Sequence, residues 1–206
     1  MIPGVILSGG ASSRMGGRPK ALLPTGRGDE TFVGRIAATL RSGGVSDVVL
    51  VTGYHDDAIS RCVSALPTPV RLVRNPKPEE GQLSSLLVAL EAVDQPDVRA
   101  ILVTLVDLPL LHVSTVRAVL EGYRGTGAPL VRPTRDGRHG HPVVFDRALF
   151  DELRRTDLAL GAKPVVRAHA AEGVDVAVND DGAFTDIDTP EDYERAFNRR
   201  WSATGG

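Results

Sequence analysis

Short runs dense in Val, Ile and Leu alternate with segments of helical period along most of this chain, and that alternation leaves few folds open. Residues 3–8, 47–52, 70–73, 100–106 and 129–132 are brief, β-branched and bounded by Gly, Pro, Asn or Asp, so they read as strands. They show little polar alternation, which is the habit of parallel strands buried on both faces. Between them, residues 31–41 carry Phe32, Val33, Ile36, Ala37 and Leu40 at helical spacing, and 56–65, 83–93 and 114–123 are further helix candidates. A β-α-β order of this kind predicts an α/β fold with a mostly parallel sheet and helices on both faces.

After Pro133 the pattern loosens. Residues 134–142 are polar and rich in Gly and Arg; 143–145 read as a short strand, 148–155 as a helix and 174–178 as a last strand. Thr189-Pro190-Glu191-Asp192 has the signature of a helix start, with an N-cap, proline at the first helical position and acids in the first turn; that helix is expected to run to about Arg200. With 206 residues and 42% hydrophobic composition the chain suffices for one core. The expectation is one domain over 1–200 and a flexible tail over 201–206.

Charge and cysteine content narrow the function classes. Basic and acidic residues number 24 and 26, and there is no Lys/Arg-rich run, so nucleic acid is not expected as a partner. One cysteine, Cys62, allows neither an internal disulfide nor a multi-cysteine zinc site, and is expected to be a small buried hydrophobe. No apolar stretch approaches a membrane span and no basic leader precedes the first strand, so a soluble cytoplasmic protein without a membrane partner is expected. The near-zero net charge hides a polarity: residues 1–28 contain Arg14, Arg18, Lys20 and Arg27 and no acid, whereas 168–194 are densely acidic with no Lys or Arg.

The basic end holds the strongest chemical signal. Residues 8–20, Ser-Gly-Gly-Ala-Ser-Ser-Arg-Met-Gly-Gly-Arg-Pro-Lys, follow directly on the first strand. A glycine-rich turn there can aim backbone N–H groups at phosphate oxygens, with Arg14 and Lys20 as countercharge. A plain surface turn gains nothing from so many cations. Neither G-x-x-x-x-G-K-[ST] nor G-x-G-x-x-G is present, which disfavours a P-loop hydrolase or a dinucleotide dehydrogenase. Asp107 in Val106-Asp107-Leu108-Pro109 ends the most hydrophobic strand, where open α/β sheets bind ligands. It is a candidate metal ligand, or equally a turn residue. In Asp186-Ile187-Asp188 the two carboxylates of an extended segment project to opposite sides, so one faces a given ion. Mg²⁺ needs only one or two carboxylates alongside phosphates and water, while helix capping is the plainer role for Asp188 or Thr189. His139-Gly140-His141-Pro142 reads as a loop contact to substrate rather than a zinc site. Gly81-Gln82-Leu83-Ser84-Ser85 offers hydroxyls and a helix start to a ligand, or simple caps.

Together these residues resemble a family, the molybdenum cofactor nucleotidyltransferases or MobA/MocA-like NTP transferases. The family signature Leu-Ala-(Ala/Gly)-Gly-x-x-x-Arg-Met-Gly-x-x-Lys-x-Leu-Leu-Pro is matched from Leu7 to Pro24. Asn75 with Gly81 to Leu86, Asp107-x-Pro109, Gly140-His141-Pro142, Gly161-Ala162 and Asp186 to Asp192 follow in the family's order. The resemblance implies a Rossmann-like nucleotide-diphosphate-sugar transferase fold. It also implies transfer of NMP from an NTP to a phosphate monoester, releasing pyrophosphate. Carried over, Leu7, Ser8, Gly9, Gly10, Arg14, Lys20, Asn75, Ser84 and Ser85 lie on the nucleotide, with Arg14, Lys20 and Asp107 catalytic. Asp107 and Asp188 hold Mg²⁺, with Mn²⁺ as the alternative ion, and His141 and Pro142 lie near the acceptor.

The implied partners are CTP or GTP, molybdopterin or the molybdenum cofactor as acceptor, and a molybdoenzyme or its chaperone downstream. Ser8-Gly9-Gly10 resembles the guanylyl members, since the methyl missing at position 9 leaves room beside the base. The later motifs resemble the cytidylyl members, and more residues support CTP. Val106 and Leu83 depart from the family's usual Gly and Met. The rival readings are a sugar-phosphate nucleotidyltransferase, which shares the loop and differs in the acceptor pocket, and a non-catalytic cofactor-binding protein. Pyrophosphate release separates the latter from an enzyme.

Overall fold

The computed structural model describes residues 1–54 and 56–201. Its strands are β1 (Gly4–Ser8), β2 (Val48–Thr52), β3 (Arg71–Arg74), β4 (Ala100–Leu105), β5 (Leu130–Arg135), β6 (Arg138–His139), β7 (Val143–Asp146) and β8 (Val174–Ala177). All belong to one sheet, in the order β3-β2-β1-β4-β7-β5-β6, with β8 beside β5. The N-terminal half is parallel, β1 pairing with both β2 and β4 and β2 with β3. β7 inserts antiparallel between β4 and β5, and β8 runs parallel to β5.

The helices are α1 (Phe32–Ser42), α2 (Asp56–Ser64), α3 (Gln82–Val93), α4 (Val113–Thr126), α5 (Phe150–Arg155), α6 (Lys163–Ala168) and α7 (Pro190–Phe197). The pleat divides the strand side chains between two cores. Ile6, Leu50, Leu102 and Val144 meet Ile36 and Leu40 of α1, Ile59 of α2 and Val116 and Leu120 of α4. Val5, Leu7, Val51, Ile101 and Phe145 meet Leu86 and Leu90 of α3, Phe150 of α5 and Val165 of α6. The sheet is therefore covered on both faces, and β1, β2 and β4 are the buried runs that the apolar pattern predicts.

Differences from the sequence reading lie mostly in the second half. The polar stretch 134–142 forms a hairpin: Thr134 and Arg135 of β5 pair with His139 and Arg138 of β6 across Asp136-Gly137. Both turn residues have positive φ, 50° and 74°, as a two-residue hairpin turn of the I′ kind requires. The strand expected over 129–132 consequently continues to Arg135. α6 has one buried apolar residue, Val165, and too little periodicity to be recognised beforehand. α7 stops at Phe197, where Asn198 takes the left-handed conformation, so the expected helix to Arg200 is shorter. The chain continues through Trp201, and the rest of the tail expected over 201–206 lies outside the described residues.

A third, smaller core fixes the two ends of the chain to each other. Met15 and Leu23 from the segment after β1 pack with Phe32 of α1, Ile187 and Tyr193 of α7, and Phe197 and Trp201 lie against them. Tyr193 stands edge-on to Trp201 with ring centres 5.4 Å apart, and the Arg18 guanidinium lies 5.1 Å from the Trp201 ring centre.

Candidate active site

The carboxyl ends of β1 and β4 open into a cleft of about 350 Å³. Leu7, Ser8, Gly9, Gly10, Arg14 and Lys20 form one side, Ser85 and Gln82 of α3 another, and Asp107 and Asp188 the floor. Parallel pairing of β1 with β4 explains why the glycine-rich loop and Asp107 arrive together, since both leave the same edge of the sheet. Asp188 comes from far along the chain and is set by backbone contacts. The Ile187 N–H donates to the Asp107 carbonyl at 2.8 Å. Asp192 closes a capping box on Thr189 and also accepts from the Asp188 N–H at 3.3 Å.

The charges are arranged in layers. Lys20, whose side chain is 13% exposed, donates from Nζ to Asp107 Oδ2 at 3.1 Å and to Asp188 Oδ1. Arg14, 68% exposed, lies 2.9 Å from the other Asp188 oxygen. Lys20 is thus an inner cation between two carboxylates, and Arg14 an outer one at the mouth. Burial alone would raise the Asp188 pKa, but hydrogen bonds and charge from Lys20 and Arg14 outweigh it and hold the carboxyl below its ordinary value. Asp186 shifts the other way: burial, then repulsion from Asp107 and Asp188, raises it.

The donors suit a hard divalent cation. Asp107 Oδ1 is buried without a hydrogen-bond partner, in a carboxylate that shares the Lys20 ammonium with Asp188. An all-oxygen pair fits Mg²⁺ or Mn²⁺. Among the described residues no group of three or more His, Cys, Asp or Glu forms a metal site by itself, so phosphate oxygens and water would have to complete the coordination.

Two nucleotide candidates stand one layer back. Asn75, buried at the end of β3, donates from Nδ2 to Ser84 Oγ at 2.8 Å and Ser85 Oγ at 3.0 Å, while its Oδ1 accepts the Lys77 N–H. Ser84, in the first turn of α3, donates back to the Gly81 carbonyl at 2.8 Å and does not cap the helix. Only Ser85 of these three lines the cleft.

The sequence reading of Gly9 needs correcting. A Cβ there would stand 2.5 Å from Ser85 Oγ, so the space left by the absent methyl is already filled by the serine hydroxyl. His141 and Pro142 are also outside the cleft lining. The His141 backbone N–H donates to the Ala183 carbonyl at 2.9 Å, and burial, partly opposed by the Asp107 charge, lowers the imidazole pKa. Gly81 and Gln82 of the Gly81 to Ser85 motif also line the cleft, as does Pro78, which no sequence motif singled out.

No described helix is long and apolar enough to cross a membrane. Residues 4–174 match the MobA-like NTP transferase domain. The chain is 34% identical over 200 residues to a nicotine blue oxidoreductase of Paenarthrobacter nicotinovorans, covering 94% of this chain and 95% of that one. It is 28% identical over 191 residues to a probable molybdenum cofactor guanylyltransferase of Mycobacterium bovis, covering 91% and 89%. The crystal structure of Rv0371c from Mycobacterium tuberculosis H37Rv superposes with a TM-score of 0.79 at 30% identity over 96% of this chain and 97% of that one. The manganese complex of Rv0371c superposes with a TM-score of 0.70 at 27% identity, over 96% and 98%. The loop that carries Arg14 and Lys20 and the strand end that carries Asp107 both fall within the matched segment, and the chain belongs to the MobA-like NTP transferase family, as a nucleotidyltransferase.

Proposed function

We propose that residues 1–200 form a cytoplasmic transferase that moves the NMP of an NTP to the terminal phosphate of molybdopterin or the molybdenum cofactor, releasing pyrophosphate. CTP is the favoured donor, GTP the competing one, and the product serves a molybdoenzyme or its chaperone. The observation that carries this reading is the meeting of Lys20 and Arg14 with Asp107 and Asp188 in one cleft. A terminal phosphate with a second pKa of about 6 is already mostly a dianion at neutral pH, so the site needs no strong base. It needs alignment of three mutually repelling groups and screening of their charge.

In this proposal Arg14, Lys20 and the amides of Gly9 and Gly10 hold the triphosphate, with Leu7, Ser8 and Ser85 along the nucleoside. Asn75, itself tied to Ser84, would hold the Ser85 hydroxyl in place. Asp107 and Asp188 would hold Mg²⁺, or Mn²⁺ in its stead, and the ion when bound supplies screening and Lewis-acid polarisation of the phosphates. His141 and Pro142 stand on the acceptor side. Calorimetric titration with CTP and with GTP in the presence of Mg²⁺, followed by pyrophosphate release on adding molybdopterin, tests the scheme. Selective CTP binding with pyrophosphate release supports it, and a folded chain that binds neither nucleotide refutes it.

A second reading rests on the relative named nicotine blue oxidoreductase. Reduction of nicotine blue by the purified chain with an added electron donor, without pyrophosphate release from NTP, would favour this reading.

A further inference from the structure

The position of Lys20 has an implication for how the cleft fills. Its ammonium group bridges Asp107 and Asp188, the two carboxylates with the chemistry to hold a divalent ion, and it is mostly buried there. Asp188 already receives a second cation, Arg14, on its other oxygen. A divalent ion approaching alone meets carboxylates already paired with cations and an ammonium a few ångströms away. Only Asp107 Oδ1 is left without a partner.

We infer that Lys20 is an internal stand-in for the metal ion, which keeps the ion out of the empty cleft and makes its binding conditional on the nucleotide. This rests on the nucleotidyltransferase reading given above. A triphosphate beside the loop offers the ammonium a denser set of negative oxygens than two carboxylates do. Lys20 can reach it by rotating its long side chain, because the backbone is held separately: the Lys20 N–H donates to Ser12 Oγ at 3.3 Å. Once Nζ turns to phosphate, Asp107 Oδ2 and Asp188 Oδ1 lose their ammonium partner in the same step, and Arg14 keeps its pairing with the other Asp188 oxygen. Nucleotide and ion then bind as a pair, and by linkage each tightens the other by the same factor. The device also prevents the carboxylate pair from trapping stray divalent ions between turnovers.

The proposal demands effects of opposite sign from one substitution. Mn²⁺ binding to the full chain is read directly from the electron paramagnetic resonance signal of the free ion, with and without the α,β-methylene analogue of CTP or GTP. Wild type is expected to bind Mn²⁺ weakly alone and much more tightly with the analogue. Lys20→Met is expected to bind Mn²⁺ alone about tenfold or more tighter than wild type, because a repelling charge has gone, while binding the analogue more weakly. Lys20→Gln should repeat the result, and circular dichroism checks that both variants fold. Asp107→Asn should abolish the gain, which ties the ion to this site.

Mn²⁺ binding by both folded Lys20 variants no tighter than by wild type would overturn the inference, as would tight Mn²⁺ binding by wild type without nucleotide. A gain of Mn²⁺ affinity in Lys20→Met together with no analogue binding by wild type would instead uphold the stand-in role and refute the nucleotide reading.

Discussion

Gly9→Ala and Ser85→Ala should cancel each other in part, and the size of the cancellation follows from three distances. A methyl at position 9 would lie 2.5 Å from Ser85 Oγ but 3.6 Å from Ser85 Cβ, so the hydroxyl alone obstructs it. Gly9 has no positive φ to forbid alanine. Rotating the hydroxyl away breaks its 3.0 Å bond from Asn75 Nδ2 and leaves one hydrogen of a buried amide without an acceptor. That costs about 1–3 kcal/mol. Stiffening of the unfolded chain by Gly→Ala returns roughly 0.4–1 kcal/mol. The net cost of Gly9→Ala is therefore about 0–2.6 kcal/mol, centred near 1.3 kcal/mol.

Ser85→Ala loses the same hydrogen bond and should also cost about 1–2 kcal/mol. The double variant loses that bond once and has ordinary contact between the two methyl groups, so it should cost no more than Ser85→Ala alone. Urea unfolding followed by circular dichroism, run as a double-mutant cycle, should return a coupling of about 1–2 kcal/mol in the rescuing direction. Additivity to within about 0.5 kcal/mol would show that Ser85 does not occupy the space beside Gly9, and the packing argument would fail.

Three further outcomes are expected. Asp107→Ala should lower turnover by orders of magnitude while the variant unfolds at nearly the same urea concentration; near-normal turnover by the folded variant removes Asp107 from the site. Met15→Ala should cost about 2–5 kcal/mol because the side chain is fully buried in the small third core; it should also weaken nucleotide binding, measured by calorimetry, since Arg14 is its chain neighbour. Asp188 has a lowered carboxyl pKa, so its contribution to stability is present above the unfolded value near ~3.9 and is lost as pH falls through the folded value. The urea midpoint of Asp188→Asn should therefore approach that of wild type below about pH 4 and fall short of it at neutral pH.

The parallel half of the sheet was legible because β1, β2 and β4 are short apolar runs separated by segments of helical period. β7 was not placeable from its residues, since insertion between β4 and β5 is a long-range pairing that no local pattern encodes. The 134–142 hairpin shows the opposite case: Asp136-Gly137 is a strong turn signal, but its polar arms lie at the sheet edge and lack the apolar alternation that marks a strand. At the site, Arg14, Lys20, Asp107 and Asp188 were visible as charges in telling positions. That Lys20 bridges the two acids was not visible, because a sequence shows a charge but not its partner. Asn75 and Ser84 were placed on the nucleotide; the sequence does not show that Asn75 bonds both serines, nor that of the three only Ser85 lines the cleft.

The small aromatic core that unites the chain's two ends has a consequence for synthesis. Asp188 lies 168 positions after the lysine it faces. At ribosomal speeds of about 5–20 residues per second, roughly ten to thirty seconds separate the appearance of the basic loop from that of its acidic counterpart. In the second half of that interval, once β4 has been made, β1 to β4 can pair and bury apolar surface, while Met15 and Phe32 lack Ile187 and Tyr193 to close on. The nascent chain therefore passes through a stage with most of its sheet but an unfinished cleft, and its capacity to grip a substrate is the last thing it acquires.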